Sequence, residues 1–101
     1  MGSFFDKQPA SRQLTIQSVA IGAASTAIAN KFGPETYQIR LAATVACYYL
    51  ICENANVIAA TTSNASYLPA NWVEFVAVTP GQKLSVIEAT AAGTLSVTEL
   101  N

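Results

Sequence analysis

The sequence predicts a single all-β domain, a β-sandwich preceded by an extended N-terminal arm. Three observations carry that prediction. The stretch from Ser66 to Glu99 holds three short runs of β-branched and aromatic residues, Val73–Val78, Lys83–Glu88 and Thr94–Glu99, separated by turn-forming residues. Two earlier stretches, Leu14–Ile21 and Tyr37–Ala43, alternate with the period of a strand. The chain has 101 residues, 51% hydrophobic, which suffices for one core and one domain.

Residues 1–13 read as the arm and residues 14–101 as the sandwich domain. Phe4 and Phe5 are adjacent large apolar residues in an otherwise polar stretch. They are either incidental aromatics in a frayed tail or rings that dock into a neighbouring subunit. Leu14–Ile21 is the first strand, with Leu14, Ile16 and Ser18 on one face and Thr15, Gln17 and Val19 on the other. Ala23–Asn30 fits a short helix or a flat strand; β-branched Thr26 and Ile28 favour the strand. Gly33-Pro34 makes Lys31–Glu35 a turn.

Tyr37, Ile39, Leu41 and Ala43 share one face of the next strand, and Gln38, Arg40 and Ala42 the other. Val45–Cys52 is apolar on both faces, as expected of a central strand buried on both sides or covered by another subunit. Tyr48 and Tyr49 are consecutive, so one ring belongs to the core and the other to a surface. Glu53–Asn56 is a turn, Val57–Thr62 a short strand and Ser63–Ser66 a polar loop. Pro69 holds Leu68 extended and sits at an edge or bend. Trp72 either caps the open end of the core or anchors an interface. Thr79-Pro80-Gly81-Gln82 and Ala89–Gly93 reverse the chain, so the last three runs form a meander in which Glu74 meets Lys83 across the first turn. Glu74, Glu88 and Glu99 stand near strand ends and read as solvated.

The chemistry-bearing residues are sparse. The chain has no histidine, which removes the usual general base and the Ser-His-Asp and Cys-His hydrolytic sets. It has no metal-binding or phosphate-binding motif, and the carboxylates are scattered. Cys47 and Cys52 lie five apart, on opposite faces of one strand, and read as small apolar packing residues. We therefore expect no catalytic residues, no metal and no cofactor. Five basic residues are dispersed and the net charge is −1, which gives no nucleic-acid footprint. The first residues lack the pattern of a secretory signal, and the longest apolar run, Leu41–Cys52, is twelve residues, too short for a membrane helix. Charged residues make up 11% of the chain, against about 25% in ordinary soluble domains. So few charges imply an exterior partly covered by another protein.

The segment Val57–Ala70, followed by Glu74-Phe75, Thr79–Lys83 and Gly93–Glu99, resembles small virion proteins encoded beside the head genes of tailed bacteriophages. The likeness covers roughly the C-terminal half and rests on turn and strand residues. It implies a jelly-roll-like sandwich, in keeping with about eight short strands. It further implies a structural subunit that decorates or cements the capsid exterior, a homo-oligomer such as a trimer, bound to the major capsid protein. The interface candidates are Phe4, Phe5, Leu14, Ile16, Tyr48 and Trp72. Two alternatives stay open. One is another virion module at the head–tail connector, tail or fibre. The other is a carbohydrate-binding module with Trp72, Tyr67 and Tyr48 as a stacking platform.

Overall fold

Eight strands run from Gln13 to Leu100: β1 (Gln13–Ile21), β2 (Thr26–Ala27), β3 (Gln38–Ala43), β4 (Cys47–Glu53), β5 (Ser66–Leu68), β6 (Val73–Ala77), β7 (Gln82–Glu88) and β8 (Gly93–Leu100). The structure, a computed structural model, describes residues 12–100. The strands form two antiparallel four-stranded sheets, in the orders β1-β8-β3-β6 and β2-β7-β4-β5. This is the all-β sandwich that the alternation predicts. The arm, with Phe4 and Phe5, lies outside the described residues except for its last two positions, and Gln13 already belongs to β1.

One rule generates the pairing. Strands of the first half pair with strands of the second half in reverse order: β1 with β8, β2 with β7, β3 with β6, β4 with β5. The chain is thus one long antiparallel hairpin, folded over so that β3 also meets β8 and β4 also meets β7. The expected C-terminal meander is corrected by this topology, because β6, β7 and β8 pair with earlier strands and not with one another. The turn at Thr79–Gln82 does form. Gln82 donates its N–H to the Thr79 carbonyl at 3.2 Å, and Gly81 takes φ +88°. Pro at the second position and a positive φ at the third mark a type II turn. Its twist splays the flanking strands instead of matching a hairpin, so β6 and β7 part into different sheets. The expected Glu74–Lys83 pair is lost with it: Glu74 accepts a hydrogen bond from the Tyr49 hydroxyl, and Lys83 stands opposite Cys52.

The core lies between the sheets and follows the period of two. Ile39, Leu41 and Ala43 of β3 face Leu84 and Val86 of β7 and Cys47 and Tyr49 of β4, all buried. Each fully buried Ile or Leu side chain contributes about 1.5–3 kcal/mol. Phe32, in the segment read as a turn, is buried among them. Its N–H bonds the Gln82 carbonyl and its carbonyl takes the Gly81 N–H, which clamps the β2–β3 connection onto the type II turn. Trp72 does not cap the core: it is 60% exposed, in the β5–β6 connection after Asn71, whose φ is +57°.

The expected strand at Val57–Thr62 is absent. Thr61 and Asn64 bond each other's backbone through their side chains, and Asn64 Nδ2 bonds the Ala59 carbonyl at 3.1 Å. Such local bonds draw the backbone away from a ladder. Of Ala23–Asn30, only Thr26 and Ala27 form a strand.

Candidate interaction surface

The two outer faces of the sandwich differ in what covers them. On the β2-β7-β4-β5 sheet, Ser85 and Cys52 point away from the core, yet they are 1% and 5% exposed. The long β4–β5 connection, residues 54–65, reaches across this side of the sheet toward β2. It leaves β4 at one side, and the Ala60 N–H reaches Ser25, beside β2 at the far edge, where it donates to the hydroxyl at 2.8 Å. Ala60 is itself buried. Of the outward side chains of β4, Cys52 is buried and Tyr48 and Leu50 are half-buried, so this face is partly covered.

No described loop is seen bonded across the β1-β8-β3-β6 sheet, whose outer face is exposed at its margins, while outward Thr98 and Leu100 of β8 are 6% and 7% exposed. The register places Ile16, Thr98, Arg40 and Phe75 in one row across the four strands. Ser18, Ser96, Ala42 and Val73 form the next row. Phe75 is 61% exposed, Ile16 54% and Val73 44%. Arg40 is the one formal charge on this face of the described strands. The result is a surface with one charge and with aromatic and aliphatic side chains at its two margins, a composition closer to an interface than to a solvated sheet.

β6 shows how Phe75 came to be outside. Its polar residue, Glu74, turns inward and is half-buried against the Tyr49 hydroxyl, so the apolar neighbours Val73 and Phe75 face solvent. Burial and the Glu74 carboxylate both hold the Tyr49 proton, raising its pKa above the ordinary phenol value. No pattern in the sequence announced this inversion, and Phe75 and Val73 were missed as surface candidates for that reason; the alternation of β3 does place Arg40 on its outer face.

The predicted interface residues are dispersed. Ile16 lies on the open face; Leu14 is half-buried beside a register shift between Gln13 and Ile16. Tyr48 sits on the opposite sheet, where its ring meets Tyr67 at 5.3 Å between centroids and 59° between planes. Two rings so tilted make no flat sugar platform, and among the described residues no ring contact joins Trp72 to them.

Glu99 is the one buried carboxylate among the described residues, at 3% exposure, which corrects its reading as solvated. Its Oε1 accepts from the Gly33 N–H at 2.9 Å and the Thr36 hydroxyl at 2.6 Å, and its Oε2 from Gln17 Nε2 at 3.4 Å. These donors tie the end of β8 to β1 and to the β2–β3 connection. Two shallow depressions of about 410 and 270 Å³ flank Gly33 and Pro34; the second is lined by two carboxylates, Glu35 and Glu99, and both oxygens of Glu99 are already engaged by these bonds. Among the described residues no three His, Cys, Asp or Glu side chains gather as a metal site. Cys47 and Cys52 are free, buried thiols on opposite faces of β4.

Fold and surface define a small two-sheet β-sandwich, with one sheet crossed by the chain's own loop and the other crossed by none among the described residues. Comparison with protein-family models, curated proteins and solved structures found no match to this chain.

Proposed function

We propose that this protein is a structural subunit that binds other proteins through its open β1-β8-β3-β6 face. Within that class, the reading we favour is a capsid decoration or cement subunit of a tailed phage, bound to the major capsid protein on the outside of the head. One observation carries the binding role: exposed Phe75, Val73 and Ile16 border a sheet face that bears a single formal charge and that no described loop is seen to cross, while residues 54–65 reach across the other sheet. The phage reading rests on the sequence likeness alone. The reversed pairing of first-half and second-half strands supports its jelly-roll component, since two interleaved Greek keys pair in that manner.

The test is sedimentation of the purified full chain with expanded phage heads that lack it. The wild type is expected to travel with the shells. Phe75→Glu is expected to stay in the supernatant with an unchanged far-UV spectrum, because a carboxylate in a desolvated contact is costly. A chain that binds no shell overturns the phage reading, and Phe75→Glu binding like wild type overturns the face.

A further inference from the structure

The two sheets have four edges, and three of them are protected against pairing with another chain. β2 has two residues and β5 three, the latter followed by Pro69. β6 has five, with Glu74 turned inward. Short length, proline and inward charges are the usual defences of an edge. β1 lacks all three. It is nine residues long, Gln13–Ile21, and holds no proline and no charged residue. It pairs with β8 alone among the described strands. Its one irregularity, between Gln13 and Ile16, leaves Ile16–Ile21 in regular ladder geometry.

We propose that this free edge pairs with the β1 edge of a second copy, antiparallel about a twofold axis, joining two open faces into one eight-stranded sheet. The proposal does not depend on the phage reading. Antiparallel pairing of an edge with itself is self-complementary, and a strand without charge meets no like charge in its copy. The register is constrained as well. Side chains opposite each other must share a face, so Ile16, Ser18 and Ala20, which point outward, must meet outward residues of the partner strand. Centring on Ser18 keeps the contact within the regular run: Ser18 faces Ser18, and Ile16 faces Ala20 in both directions. Exposed Ile16 then gains an apolar neighbour, and the exposed margin of the face becomes its middle.

Light scattering on the full chain, with cysteine pairs formed by mild oxidation, tests this. The native thiols are buried and stay out of the reaction. A dimer is expected, with Ser18→Cys cross-linked as a covalent dimer and Ala20→Cys not. Ile16→Cys mixed with Ala20→Cys should cross-link as a heterodimer. Ser18→Lys sets two ammonium groups face to face and is expected to weaken self-association by about ten-fold or more at low salt, with the fold retained. A monomer at all concentrations, which would include the edge being capped by residues 1–11 of the same chain, overturns the proposal. So does a trimer, or a dimer in which Ser18→Cys fails to cross-link or Ala20→Cys cross-links equally well.

Discussion

Glu99 and Cys47 show how single side chains set the tolerance of this sandwich. Glu99→Ala would strand the Gly33 N–H and the Thr36 hydroxyl without their acceptor. Unsatisfied buried donors cost about 2–3 kcal/mol, a fall of roughly 10–20 °C in Tm for a domain of this size, read by thermal unfolding. Glu99→Gln keeps one acceptor oxygen and should lose less. Cys47 acts at the alkaline end. Burial pushes its thiol from the ordinary 9.0 up to about 11, so the folded state keeps a proton that the unfolded chain releases earlier. Its contribution is whole below pH 9 and is lost as the pH climbs through 11. Denaturant unfolding across that window should show a decline of about 2–3 kcal/mol that is missing in Cys47→Ala. The raised Tyr49 adds a decline of the same sign, part of it owed to Cys47 itself, so the comparison is made in a Tyr49→Phe background where that decline is absent. Neither role was legible in the sequence. A glutamate one residue from a strand end looks solvated until the topology brings Gly33 and Thr36 to it. Gly93 is similar: it reads as a turn residue, but it opens β8, and an added Cβ would lie 2.6 Å from both Thr44 Oγ1 and Val45 Cγ2.

At the scale of elements, the roof formed by residues 54–65 is the feature most open to test. Its hold on the far edge of the sheet is the Ala60 N–H to Ser25 bond. Ser25→Ala removes the acceptor, and the roof should lift more often. Cys52, beneath it and 3.9 Å from Ser85, would then react faster with a thiol reagent than in the wild type, while Cys47 in the core would not. The expected cost is about 1–2 kcal/mol. Equal rates at Cys52 would show that the roof is held by other contacts. The strands with clean alternation, β1, β3 and the apolar β4, were readable because burial acts on them through a period of two. The roof was not, since Val57-Ile58 has the composition of a strand and only the Thr61 and Asn64 side chains divert it. β6 was read as a strand but with no basis for choosing its inner face.

For the whole molecule, local signals named where the chain bends and left open which sheet it enters next. Only β4 and β5 are consecutive strands that pair; every other connection changes sheets. A fold so dominated by distant pairings is expected to form slowly, in milliseconds to seconds. The most distant pairing is also the one that joins the two ends of the sandwich, for Gln13 stands opposite Leu100. Partner residues on adjacent strands lie about 5 Å apart, so a few glycines could splice the ends together. A circular permutant built this way, opened in the exposed stretch at Ala91, turns the last contact to close into an ordinary hairpin. Stopped-flow refolding should find it faster than the natural order, with the same final spectrum.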